Sequence, residues 1–148
     1  MLLFILSFLT ITALSLGQFN QVFTINGIQP NLALVFLIVY AFFEKDWLRR
    51  SALVLLAVFI LNFEPVINFQ TLFLILVFFI SVAMVDYFRW QPPLNAVLVS
   101  ILATLLINLD PFNFWVMIAE LKYNLAALAV FSLFVVFMNS RFPMRQNV

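Results

Sequence analysis

The chain has 148 residues, of which 66% are hydrophobic and 9% charged, with a formal net charge of +1. A soluble domain of this length needs charged side chains over most of its surface, and this chain has too few. The absence of Cys and His excludes disulfides and argues against the usual zinc and haem sites, and no basic stripe suggests nucleic acid. The composition therefore predicts an integral membrane protein without a cofactor.

Six apolar stretches follow one another along the chain, and they lack the period-two alternation of membrane strands. We predict an all-α integral membrane protein, a compact bundle of six transmembrane helices joined by short loops. The predicted spans are 2–17, 29–47, 51–63, 70–88, 93–109 and 114–138. With such short connections, we expect one transmembrane domain over residues 1–148.

The first stretch is similar to a secretory signal, but no Lys or Arg precedes its apolar core, so we expect it to remain as a span. An uncharged link, 18–29, follows it, and Gly27 is the expected turn residue there. The third stretch is the shortest and could be buried or tilted rather than fully spanning.

The second predicted span orients the others. Pro30 suits the first position of a helix, because its missing N–H would have no intrahelical partner there. Tyr40 and Trp47 lie toward the other end, where amphipathic rings favour the lipid–water boundary. The cations that follow are Lys45, Arg49 and Arg50. We interpret them as a cytoplasmic anchor, which could equally contact partners or hold anionic lipid.

The other cations agree with this orientation. Six of the seven Lys and Arg fall on one side if both termini are cytoplasmic. Lys122, inside the sixth stretch, is the exception. Two of the links on the opposite side contain an acid followed by Pro, in 62–68 and 108–113, which predicts turns and a helix cap at Asp110. The likeness of these two links could also reflect a duplicated hairpin.

The fifth stretch carries small and polar residues at four-residue spacing: Ala96, Ser100, Thr104 and Asn108. Such a stripe lets helix backbones approach closely, either within the bundle or against a partner helix. In the sixth stretch, Glu120 and Asn124 lie one turn apart and should share a face, with Tyr123 beside them. An ionisable group at membrane depth is a functional candidate, although the start of this helix could instead be an amphipathic turn in the outer headgroup zone.

Catalysis is not predicted. The six carboxylates are mostly at predicted helix ends, the chain has two Gly and no phosphate loop, and no nucleophile–base pair is evident. We therefore expect a protein that is not an enzyme.

Two sequence features resemble the bacterial rod-shape-determining MreD family. One is Pro30-Asn31-Leu32 at the entry into the second span, with Tyr40 later in it, and the other is the Tyr-Asn-Leu-Ala-Ala sequence at 123–127. The hydropathy profile of six short helices is similar over nearly the whole chain, although this chain is richer in Phe and poorer in Gly than the usual pattern.

The resemblance implies a non-enzymatic scaffold of the cell-elongation machinery in the bacterial cytoplasmic membrane, supporting peptidoglycan synthesis and cell shape. It implies MreC as the partner, and also MreB, RodA and a penicillin-binding transpeptidase. Similar folds occur in substrate-binding subunits of energy-coupling-factor transporters, so a vitamin-binding subunit is the alternative. That alternative predicts an outward pocket lined by polar residues: Asn62, Asn68, Asn108, Asn113 and Glu120.

Overall fold

A computed structural model describes residues 2–61, 69–87, 92–109 and 113–141. Over these ranges the protein is all-helical, with six α-helices and no strand. The helices are α1 (Leu2–Phe19), α2 (Leu32–Phe43), α3 (Trp47–Leu61), α4 (Phe69–Tyr87), α5 (Pro92–Ile107) and α6 (Phe114–Arg141). The predicted helical class and number of helices are confirmed.

The short helix α2 lies at the centre of the bundle. Every residue from 33 to 41 is buried, so α2 is covered on all sides. This agrees with its sequence, which is apolar all round rather than on one stripe. The other five helices each pack against α2, and neighbours also pack as α1 with α3, α3 with α4, α4 with α5, and α5 with α6. A single hydrophobic core includes side chains from all six helices.

The start of α2 differs from the prediction. The helix begins at Leu32 rather than at 29, and Asn31 is its N-cap, with Oδ1 accepting from the Leu34 backbone N–H at 3.2 Å. Pro30 lies one residue before the cap, so the role we predicted for it at the first helical position is wrong. The side chain of Asn31 accepts a hydrogen bond from a backbone N–H of the first helical turn, as an N-cap residue does. Pro30 has no side-chain acceptor, so α2 begins after Asn31.

The end of α2 also comes earlier than predicted. Glu44 is the C-cap with an extended backbone (ψ 128°), and α3 already begins at Trp47. Asp46 starts α3, because its Oδ1 accepts from the Leu48 backbone N–H at 2.9 Å. The predicted span 29–47 is therefore corrected to 32–43, and the third helix begins at Trp47 rather than at 51, with a turn of three residues between them. The predicted end of the third span, at 63, lies outside the described residues.

The helices differ in their ability to cross a bilayer by themselves. By length and composition, one helix among the described residues is long and apolar enough, over Phe114–Phe137. Three others are apolar but shorter: Phe4–Phe19, Leu32–Phe43 and Leu94–Ile107. The 12 residues of α2 make a helix about 18 Å long, against a hydrocarbon core of about 30 Å.

The link between α1 and α2 contains a tight β-turn. Ile25 and Ile28 exchange two backbone hydrogen bonds, of 2.8 and 2.9 Å. Asn26 and Gly27 between them both have positive φ, 50° and 77°, as a two-residue hairpin turn requires. The prediction of Gly27 as a turn residue is confirmed. The acid–Pro turns predicted in the other two links, including Asp110, lie outside the described residues.

Candidate functional site

Polar side chains from four segments meet at one end of the bundle, where α1 and α5 end and α2 and α6 begin. We call this group the polar cluster; it consists of Gln18, Asn31, Thr104, Asn108, Glu120 and Asn124. Thr104 in α5 and Asn108 directly after it are two members, and two more come from α6, in the region that the sequence singled out. Gln18 and Asn31 join them from the α1–α2 side.

Asn124 is the centre of the polar cluster. Its side chain is completely buried. Its Oδ1 accepts from the Asn31 backbone N–H at 3.0 Å, and its Nδ2 donates to Thr104 Oγ1 at 3.0 Å. A longer contact of 3.5 Å joins Nδ2 to Glu120 Oε1. One amide therefore links α6 to the start of α2 and to the last turn of α5.

Glu120 faces into the bundle and is 7% exposed. Its Oε2 accepts from Asn108 Nδ2 at 2.7 Å, and the same Nδ2 donates to the Thr104 carbonyl at 2.9 Å. No Lys or Arg in the described ranges forms an ion pair with Glu120, so side-chain amides are what stabilise its carboxylate. Glu120 and Asn124 share a face, as their spacing predicted, whereas Lys122 is exposed.

The end of α1 is tied to the start of α2 through amide side chains. Gln18 Nε2 donates to Asn31 Oδ1 at 3.2 Å, and Gln18 Oε1 accepts from the Ala33 backbone N–H at 3.3 Å. Gln29 Nε2 in turn donates to the Gln18 carbonyl. We did not predict roles for Gln18 or Gln29. The sequence offered one signal for such roles: Gln18 and Gln29 are long amide side chains at the two ends of an uncharged link that leads into α2.

The α5 stripe lies inside the bundle. Ala96, Ser100 and Thr104 are buried and Asn108 is half-buried. Thr104 Oγ1 donates to the Ser100 carbonyl at 2.9 Å, while Ser100 Oγ has no hydrogen-bond partner in the described part of the chain. These residues pack within their own chain. Contact of this stripe, of half-buried Tyr123 or of Asn124 with a partner helix stays a prediction.

A second polar group lies at the opposite end of α2, around the buried carboxylate of Glu44. Tyr40 OH donates to Glu44 Oε2 at 3.2 Å, and the backbone N–H groups of Lys45 and Asp46 donate to Oε1 at 3.0 and 3.1 Å. Arg49 forms ion pairs with Glu44 at 3.4 Å and with Asp46 at 3.3 Å. These contacts hold the three-residue turn between α2 and α3.

The three cations predicted as an anchor have different environments. Lys45 is exposed and Arg49 is half-exposed, but Arg50 is only 3% exposed. Arg50 Nε donates to the carbonyl of Glu44, which closes the C-terminal end of α2. Arg50 thus has a structural contact that the sequence did not suggest. The interaction of this segment with lipid or a partner stays a prediction.

Comparison with protein-family models, curated proteins and solved structures finds no match to this chain. The family resemblance rests on the residues quoted for it. Two of those segments are in contact, because the Asn31 backbone N–H donates to Asn124 across 93 positions of sequence. The folded chain thus brings the Pro-Asn-Leu and Tyr-Asn sequences together at one place.

The residues expected to line a ligand pocket are used otherwise. Asn108 and Glu120 bond to each other, and Asn113 caps α6, with Oδ1 accepting from the Trp115 and Val116 backbone N–H groups at 3.2 and 3.3 Å. The remaining two, Asn62 and Asn68, lie outside the described residues. Among the side chains that the structure describes, no three acidic groups come close enough to hold a metal ion. The polar cluster is thus an arrangement that joins helices.

Proposed function

We propose that this chain is a non-enzymatic, multi-pass scaffold in the bacterial cytoplasmic membrane, with six spans and both termini in the cytoplasm. The observation that carries the proposal is the apolar outer surface of the bundle. Large hydrophobic side chains are exposed on α1, α3, α4, α5 and α6, for example Leu9, Leu55, Phe79, Leu98 and Leu133. Exposing such a surface to water is unfavourable in free energy, whereas lipid tails can cover it.

Two of the described helices have lengths compatible with this location. The apolar part of α6 has 24 residues, about 36 Å, and α4 has 19, about 28 Å. The shorter α2 need not match the bilayer, because other helices enclose it and it meets no lipid. Its two ends are closed by the polar cluster and by the Glu44 group, so its terminal backbone groups remain paired within the bundle.

The charge distribution supports the orientation. The end of the bundle where α2 meets α3 carries the charged residues Lys45, Asp46 and Arg49. Arg49 forms ion pairs with the acids of this turn, and Arg50 donates to a backbone carbonyl of the turn. At the end that holds the polar cluster, the link 18–31 has no charged residue. By the positive-inside bias, the end with Lys45 is cytoplasmic.

A scaffold accounts for the polar cluster better than a ligand-binding subunit does. A pocket needs polar groups that converge on an empty space. Here the amides of Asn108 and Asn124 donate to Glu120, and Asn124 also bonds α2 and α5. These contacts fix helix positions, which suits a protein that presents a rigid surface to other membrane helices.

In its specific form, the proposal is a scaffold of the MreD type that binds MreC in the cell-elongation machinery. The contact between Asn31 and Asn124 supports it, since it gives the two resembling segments a common structural role. The small-residue stripe of α5 faces into the bundle. A partner helix that packs against α5 therefore contacts the exposed leucines of α5. These leucines are Leu94, Leu98, Leu102 and Leu105.

The test is affinity purification of the full chain in mild detergent after co-expression with MreC. Retention of MreC supports the scaffold. Absence of MreC refutes the specific proposal, and capture of an energy-coupling transport subunit with its ATPases would favour the transporter alternative. Leu98→Trp and Leu105→Trp on the exposed side of α5 should reduce MreC retention, with Leu133→Trp on α6 as the matched control. Equal retention by all three variants would remove α5 from the interface.

A further inference from the structure

The link between α1 and α2 exposes apolar side chains although it is not a helix. Val22 is 69% exposed and Ile25 is 45% exposed. The segment 18–29 contains no charged residue, in contrast to the charged turn at the opposite end of α2. The link also exposes uncharged polar side chains, such as Gln21 and Asn26, so its unusual features are the absence of charge and the exposed apolar side chains.

The backbone of this link is largely paired within itself. The Val22 N–H donates to the Gly17 carbonyl at 2.9 Å, and the Thr24 N–H donates to the Gln21 carbonyl at 3.3 Å. Ile25 and Ile28 pair with each other across the turn. When non-helical backbone leaves bulk water, each N–H or C=O group without a hydrogen-bond partner costs free energy, so pairing of this kind is needed.

The surroundings of the link are apolar as well. The exposed side of α1 leads into it through Leu16 and Phe19. At the same end of the bundle, the first turn of α6 exposes Phe114 and Trp115, and an exposed Trp is typical of a lipid–water boundary. The acids that the sequence places at this end, Glu64 and Asp110, belong to the other two links, outside the described residues.

We propose that the α1–α2 link is an interfacial hairpin that inserts Val22 and Ile25 into the headgroup–acyl boundary of the leaflet opposite Arg49. The partner of this surface is lipid, because the surface is uncharged, exposes two large apolar side chains and is continuous with the exposed side of α1. Gln18 and Gln29 hold the hairpin to the bundle through their hydrogen bonds to Asn31 and to the α1 end. The inference rests on the proposed membrane location, but not on any protein partner.

The absence of Cys makes a direct depth measurement possible. Val22→Cys and Ile25→Cys would each carry a nitroxide spin label, in the full chain reconstituted into vesicles of phosphatidylethanolamine and phosphatidylglycerol. Leu55→Cys, exposed midway along α3, is the lipid-depth control, and Lys45→Cys in the charged turn is the aqueous control. The measured quantity is the collision rate with oxygen relative to that with a water-soluble nickel chelate.

The labels at positions 22 and 25 should show a relative oxygen collision rate several-fold above that at 45 and below that at 55. Rates at 22 and 25 equal to the rate at 45 would overturn the interfacial hairpin while leaving the membrane location intact. A rate at 55 as low as that at 45 would instead overturn the membrane location itself. Loss of MreC binding has no bearing on these rates, so the two proposals fail separately.

Discussion

Replacing Asn124 by Leu tests whether the polar cluster holds the helices together. The substitution keeps the number and branching of the side-chain heavy atoms but removes the acceptor for the Asn31 N–H and the donor to Thr104 Oγ1, both at 3.0 Å. At about 1 kcal/mol for each of these two buried hydrogen bonds, the expected loss of stability is about 2 kcal/mol. The longer contact to Glu120 adds little, because at 3.5 Å it is at the limit of a hydrogen bond.

The assay is reversible unfolding in mixed micelles of dodecyl maltoside and increasing dodecyl sulfate, followed by tryptophan fluorescence. Asn20→Leu is the matched control, because Asn20 is exposed and bonds only to the Leu16 carbonyl in the same helix turn. It should change the free energy of unfolding by less than about 0.5 kcal/mol.

A double-mutant cycle isolates the central hydrogen bond. Combining Asn124→Leu with Thr104→Val should give a coupling energy of about 0.6 kcal/mol, the average for interhelical hydrogen bonds in membranes, and at most about 1.7 kcal/mol. If Asn124→Leu unfolds at the same detergent fraction as Asn20→Leu, or if the coupling energy is zero, the polar cluster does not hold these helices together.

Three other changes test the remaining contacts in the same unfolding assay. Glu120→Leu should lower the free energy of unfolding by about 1–2 kcal/mol, and Glu120→Gln should lower it less, because Gln keeps an acceptor for Asn108. Equal losses in the two variants would contradict the contact between Asn108 and Glu120. Arg50→Ala removes a charged donor from the end of α2 and should cost about 2 kcal/mol, whereas Lys45→Ala should leave the midpoint unchanged. Gly27→Ala should cost about 1 kcal/mol through its positive φ alone, since nothing lies within 4 Å of the added Cβ; an unchanged midpoint would argue against this turn.

The limits of the sequence are clearest at the polar cluster. The spacing of Glu120 and Asn124 correctly predicted a shared face, because helical geometry relates residues four positions apart. Neither spacing nor composition indicated that Asn124 would meet Asn31, 93 positions away. The roles of Gln18 and Arg50 were missed for the same reason, since each bonds to backbone groups whose positions depend on how the helices are arranged.

Some helix boundaries follow from local hydropathy, and others depend on capping contacts that hydropathy does not indicate. The fourth helix was predicted at 70–88, and the structure describes a helix over Phe69–Tyr87, as the local apolar run predicts. The second was predicted at 29–47 and occurs at Leu32–Phe43, because caps at Asn31 and Glu44 end it inside the predicted range.

The amino-acid sequence by itself determined the helical class, the number of helices and the uncharged character of the α1–α2 link. These properties follow from local hydropathy and from the charges that each segment carries. Only the tertiary structure decided that the shortest apolar helix is central, that the α5 stripe faces inward and that amides from four segments converge. Those features depend on contacts between residues far apart in the chain, which become neighbours when the helices pack around α2.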